Sequence, residues 1–167
     1  MRTLLMAIST GLLGAIALAL CSYLHWPAWV LFIAWVSYHL YGRSWRISIQ
    51  VFFVIILGFI LGFLIRCTSD WLMKSIGVIG LPIAGFFFIG ALPYIARIRS
   101  LASIAAWFIG LALFFGTPQP IEPERLPGLF LPLIFGFTFA WVTDSTDRWL
   151  TRRGKAKEAK SALSFPH

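Results

Sequence analysis

Residues 51–65 run without a single polar side chain, and similar apolar runs recur along the 167 residues. A membrane-spanning helix needs about 20 apolar residues to cross about 30 Å of hydrocarbon. A spanning β-barrel instead alternates apolar and polar residues in segments of about 10. The continuous run at 51–65 rejects the barrel. Composition points the same way: 59% of the residues are hydrophobic, 12% are charged and the mean hydropathy is +0.85. Soluble domains are about 45–50% apolar and about 25% charged, so an ordinary soluble enzyme is excluded. Disorder is excluded as well, because it needs low hydrophobicity.

The pattern predicts an all-α, polytopic membrane helix bundle with six transmembrane helices at residues 3–21, 27–41, 47–65, 77–95, 101–116 and 129–142. Several of these cores are shorter than a full span, so their helices are expected to extend into the flanks. Gly42-Arg43-Ser44 and Arg97-Ile98-Arg99 read as charged turns, and the three prolines at 118, 120 and 123 break the chain before the sixth helix. Residues 1–150 form the expected transmembrane domain and residues 151–167 a basic cytoplasmic tail. Arg2 and Ala15-Ile16-Ala17 fit a secretory leader loosely. Leu20 before Cys21 is too large for a lipoprotein site, and the first run is long enough to span. Cys21 and Cys67 have no CxxC or histidine partner at metal spacing and read as small apolar helix residues.

Six spans place the amino end, the second-to-third turn, the fourth-to-fifth turn and the tail on one side. That side holds Arg2, Arg43, Arg46, Arg97, Arg99, Arg148, Arg152, Arg153, Lys155, Lys157 and Lys160 of the 14 basic residues. The other side holds Arg66, Lys74 and Arg125. Cytoplasmic loops carry the excess of Lys and Arg, so both termini are expected in the cytoplasm. The net charge of +8 is then explained by topology and by contact of the basic tail with anionic lipid head groups. No nucleic-acid fold signature accompanies it, so no nucleic-acid partner is expected. Trp26, Trp29, Trp45, Trp71 and Trp149 lie near span ends, where indole favours the interface. Trp35, Trp107 and Trp141 fall within spans as packing or lipid-facing residues.

All six acidic residues, Asp70, Glu122, Glu124, Asp144, Asp147 and Glu158, fall outside the expected apolar cores. Charges inside a membrane mark proton relays, ion sites and substrate paths, so a carboxylate-driven antiporter is disfavoured. There is no P-loop, no metalloprotease constellation and no serine triad. Ser37 and His39 are too close in sequence to share a helix face. No catalytic residue, cofactor or metal ligand is expected. Few polar residues remain in the spans, and most serve neighbouring helices or their own backbone. Gln50, His39 and Tyr94 are the candidate lining of a narrow solute path. Asp144, Asp147 and Arg148 read as a salt-bridged helix end, with head-group binding as the sharper alternative.

Gly58 and Gly62 form a GxxxG pair, and Gly136 with Ala140 repeats the small-xxx-small spacing that lets helix backbones approach. A weak internal echo relates Pro27, Tyr38, Arg46 and Gly58 to Pro82, Tyr94, Arg99 and Gly110, as internal repeats do in transporters.

Trp26-Pro27-Ala28-Trp29 through Tyr38, Gly58-Phe59-Ile60-Leu61-Gly62, Ile109-Gly110 through Phe115-Gly116, and Leu131-Pro132-Leu133-Ile134-Phe135-Gly136 together carry a resemblance. The chain resembles the bacterial inner-membrane proteins catalogued as domain of unknown function 1097. The resemblance implies a small polytopic inner-membrane protein and brings no activity or site residues. The expectation is a multi-pass protein of the bacterial cytoplasmic membrane that is not an enzyme. It would give passive or facilitated passage to a small solute, with a homo-oligomer as one form of the assembly. The alternative is a non-catalytic assembly or partner-binding protein using its small-residue faces.

Overall fold

The computed structural model describes residues 2–118, 124 and 126–163. It is helical, with no strand among the described residues. The helices are α1 (Arg2–Tyr23), α2 (Ala28–Leu40), α3 (Trp45–Ile76), α4 (Gly80–Gly90), α5 (Leu92–Ile95), α6 (Ile104–Phe115) and α7 (Leu126–Leu163). Short 3-10 turns occupy Gly77–Ile79 and Arg99–Leu101. The proline-bearing break before α7 falls mostly outside the described residues, as do Glu122 and the chain beyond residue 163.

Each expected apolar segment contains helix, but the helix lengths depart from the sequence reading. α3 runs for 32 residues, about 48 Å at helical rise. It continues through Arg66 and Lys74, which the sequence placed in a loop. Nothing from Arg66 to Ile76 is Gly or Pro, so the backbone ladder persists until Gly77, whose φ of 66° ends it in the left-handed region. α2 and α6 have 13 and 12 residues, about 20 and 18 Å long, which is shorter than the hydrocarbon thickness. By length and apolarity three stretches are candidate membrane spans: Met6–Tyr23, Trp45–Ile95 and Leu126–Trp149. The middle stretch is a hairpin, because α4 folds back along α3 after Gly77. α7 continues past its apolar half into the basic segment as far as Leu163.

Two helix ends use the same device. The Trp26 N–H donates to the Cys21 carbonyl at 2.9 Å, and the Arg43 N–H donates to the Tyr38 carbonyl at 3.2 Å. Both are six-to-one bonds of Schellman type. Gly42 takes the left-handed position after α2, with φ 106°, and His25 takes it after α1, with φ 55°.

The chain forms two compact units. The first, Met1–Ser44 with Pro127–His167, contains α1, α2 and nearly all of α7. Ala17 and Cys21 of α1 meet Leu31 of α2, flanked by Trp26, Trp35 and Phe139. A Cβ on Gly136 would fall on the Leu31 carbonyl oxygen and 2.6 Å from the Ala34 Cβ, so α2 and α7 cross in close contact. Ring contacts flank the crossing: Trp26 on Phe135 at 5.3 Å and Trp35 on Phe139 at 5.9 Å. Pairing rises in step along both chains, from Leu31 with Gly136 to Trp35 with Phe139, so these two helices run parallel.

The second unit, Trp45–Leu126, is organised by α3 and α6. A Cβ on Gly110 would sit on the Ile55 carbonyl oxygen and 2.6 Å from the Gly58 Cα. Gly62 receives the ring of Phe114, which is 1% exposed and meets Phe59 edge-on at 5.4 Å. The order Gln50 with Ser100, Gly58 with Gly110, Gly62 with Phe114 makes α3 and α6 parallel, joined by the return through α4 and α5. The two glycines that echo each other in sequence, Gly58 and Gly110, lie against one another. Gly110→Val is expected to lower stability by about 3 kcal/mol through overpacking. Gly11→Ala, in open space on α1, is expected to raise it by a few tenths to 1 kcal/mol. Thermal unfolding in detergent micelles measures both.

Candidate functional site

In the first unit, the buried stripe of α7 descends through Leu133, Phe137 and Ala140 to Asp144. The spacing of three and four residues keeps these positions on one helix face, so Asp144 is carried inward by the same periodicity that buries its apolar neighbours. Its side chain is 4% exposed. Hydropathy alone places this carboxylate beyond the apolar core that ends at residue 142. The structure buries it because α2, running parallel, covers the same face one turn further on.

Three groups surround the carboxylate. The Tyr38 hydroxyl donates to Asp144 Oδ2 at 3.2 Å. Arg148, one turn along α7, pairs with the same oxygen. The Arg43 guanidinium lies 3.7 Å from Oδ1. Arg148 also donates to the Arg43 backbone carbonyl at 2.9 Å. Arg43 can offer that carbonyl because its own φ is 53°, in the left-handed region after Gly42, where a Cβ costs about 1–2 kcal/mol. Burying a carboxylate costs several kcal/mol, and the two guanidinium groups and the phenol offset that cost. The arginine side chains stay 60% and 56% exposed, so they join a buried negative charge to an open mouth.

That mouth is a cleft of about 420 Å³ formed by Arg43, Asp144, Asp147, Arg148, Thr151 and Arg152, with Met6 of α1 as an apolar wall. Asp147 Oδ1 is buried without a hydrogen-bond partner, as is the Tyr41 hydroxyl. The neighbouring threonines bond back to their own helix, Thr143 to the Phe139 carbonyl and Thr151 to the Asp147 carbonyl. Among the described residues, no three His, Cys, Asp or Glu side chains are grouped to hold a metal ion. The exposed guanidinium groups can hold an anion, with the Asp147 carboxylate beside them in the cleft.

The three residues expected to line a path lie elsewhere or play other parts. Gln50 is exposed, and its amide donates to the Ser100 carbonyl at 2.9 Å and to the Arg99 carbonyl at 3.5 Å. With the Trp107 indole on the Leu101 carbonyl at 3.1 Å, it ties down the turn that leads into α6. Tyr94 is exposed, with the Arg97 guanidinium 5.3 Å above its ring. His39 is half-buried beside the cluster, edge-on to Tyr38 at 5.5 Å. Gln50 and Tyr94 belong to the second unit and His39 to the first. Of the candidate packing residues, Gly58 and Gly62 sit on the α3–α6 contact, and Gly136 sits on the α2–α7 contact. Ala140 is fully buried.

A family model described as "Protein of unknown function (DUF1097)" matches residues 7–146. The match includes Tyr38, Arg43 and Asp144 and stops before Arg148. No curated protein and no solved structure matches the chain.

The cluster predicts an asymmetry in stability. Arg43→Gln with Arg148→Gln strands a buried carboxylate and is expected to cost about 3–5 kcal/mol. Asp144→Asn leaves two solvated arginines and a neutral side chain that still meets Tyr38, for about 1–2 kcal/mol. Adding Asp144→Asn to the double arginine variant is expected to recover part of the loss. A thermodynamic cycle built from detergent-solubilised variants measures this coupling.

Proposed function

Since the chain belongs to the DUF1097 family of unknown function, we propose that it is a multi-pass protein of the bacterial cytoplasmic membrane that passes a small solute without covalent chemistry. The observation that carries this reading is Asp144. In a chain of apolar helices, a carboxylate that is 4% exposed sits between two arginines at the foot of an open cleft. Ionisable groups within candidate spans are costly and mark solute or ion paths by default. The solute station is therefore this cluster, in place of Gln50 and Tyr94, with His39 beside it.

The proposed topology has six crossings and both termini in the cytoplasm. The parallel pairs α2 with α7 and α3 with α6 support it, since even-numbered crossings share one direction and odd-numbered crossings the other. The bias of basic residues orients the bundle and puts the Asp144 cleft at its cytoplasmic end. The basic residues from Arg152 onward would meet anionic head groups there. The glycine faces expected to recruit a partner are occupied inside each unit. They support helix packing better than assembly with another protein, so a homo-oligomer would use other surfaces.

Two measurements test the proposal. In a cysteine-free background, Lys74→Cys is expected to react with a membrane-impermeant maleimide on intact cells, and Arg99→Cys only after permeabilisation. The reverse pattern would overturn the orientation. In proteoliposomes, the wild type is expected to pass small polar solutes and Asp144→Asn, which releases the arginines that Asp144 positions, to pass them at least about tenfold more slowly, as for one weakened charge-assisted contact at the guanidinium groups. Equal flux in both, or flux no faster than through protein-free liposomes for every solute, would remove the passage reading.

A further inference from the structure

We propose that the cleft at Asp144 binds a zwitterionic phosphate ester, a phosphate and a primary ammonium held a few bonds apart as in phosphoethanolamine. The inference rests on the reading of this cluster as the solute station and names the chemistry the station takes.

The cleft brings together three guanidinium groups, Arg43, Arg148 and Arg152, and two carboxylates, Asp144 and Asp147. Asp144 is already spent, buried against Tyr38, Arg148 and Arg43. It positions the arginines and does not face the ligand. A guanidinium carries five N–H donors in a planar fork. Arg148 engages Asp144 and the Arg43 carbonyl through one terminal nitrogen. The Arg43 contact to Asp144, at 3.7 Å, is longer than a hydrogen bond. Most donors of both side chains therefore remain for an oxyanion, and a phosphate suits paired guanidinium groups geometrically.

The second half of the site is Asp147. Asp147 lines the cleft and is half-buried, and its inner oxygen, Oδ1, has no hydrogen-bond partner, so an ammonium that meets this carboxylate from the cleft approaches a charge that no bond at Oδ1 offsets. Inorganic phosphate would bring a further negative charge towards that oxygen. A bare amine would meet three guanidinium charges. A molecule with both groups places its phosphate at the arginines and its ammonium at Asp147. The cleft, at about 420 Å³, lies in the usual range of small-ligand sites. The chemistry is shared by a free phosphate ester and by the head group of an amine-bearing phospholipid.

The test uses the full chain in detergent, titrated calorimetrically with phosphoethanolamine, inorganic phosphate and ethanolamine in turn. Phosphoethanolamine is expected to bind at least about tenfold more tightly than either fragment. Asp147→Asn, which loses no existing side-chain bond at Oδ1, is expected to erase that preference. Arg152→Gln, at an exposed position, is expected to weaken phosphoethanolamine and phosphate together. Nanodiscs then separate the sources. Loss of phosphoethanolamine binding in phosphatidylethanolamine discs, with binding retained in phosphatidylglycerol discs, assigns the site to the lipid head group. Binding retained in both assigns it to the free ester. Equal affinity for phosphate and phosphoethanolamine, a preference that survives Asp147→Asn, or no binding at all would overturn the inference. Binding without flux would leave it standing and remove the passage reading alone. Flux of other solutes without binding here would do the opposite.

Discussion

Apolar helices that face hydrocarbon gain little from burying one more leucine, because lipid is as apolar as the partner helix. Their association depends on how closely the backbones approach. In this protein that approach is made at glycine. Gly58 and Gly110 bring α3 and α6 together until there is no room for a Cβ, and Gly136 lets α7 lie on the Leu31 carbonyl of α2. The aromatic contacts flanking these crossings, Phe114 on Phe59 and Trp35 on Phe139, fill the spaces that such close approach leaves on either side. Each unit therefore has one parallel, tightly crossed pair and a third helical segment running back beside it.

The Asp144 cluster follows from one of these crossings. Once Gly136 fixes the register of α7 on α2, Ala140 is buried one turn later and Asp144 one turn after that. At the same depth α2 ends, and the Schellman turn at Gly42 swings Arg43 back over its terminus. A helix end, a buried carboxylate and an i,i+4 arginine thus meet by geometry. The cost of burying Asp144 is offset by the groups the turn delivers. The arginines gain orientation without losing contact with solvent.

Much of the fold was legible from hydropathy because helical segments in apolar surroundings satisfy their own backbone hydrogen bonds. Residues 51–65 could hardly have been anything but helix. The small-residue spacing of Gly58, Gly62 and Gly136 was legible too, as a geometric permission for close contact. Helix length was less so. α3 overruns its apolar core to Ile76 because charge does not stop a helix, and it ends where Gly77 takes the left-handed conformation. Gly110, the partner of Gly58, could be guessed only through the weak sequence echo. Gln50 reads in the sequence as a polar group opening an apolar run, whereas its amide serves the carbonyls of a turn fifty residues away. Asp144 was visible as one of a small cluster of charges at a helix end. The signal that could have marked it is its place on the 133–137–140 stripe.

The sequence by itself determined the helical class, the apolar character of the segments and the bias of positive charge, because each depends only on local composition and short-range periodicity. Only the tertiary structure decided which glycines touch, which polar side chains are spent on backbone carbonyls and which carboxylate is buried. Those outcomes depend on the register between helices far apart in the chain. Tyr38 and Asp144 are 106 residues apart, and no local pattern records that the packing of Gly136 on Leu31 brings them to one point.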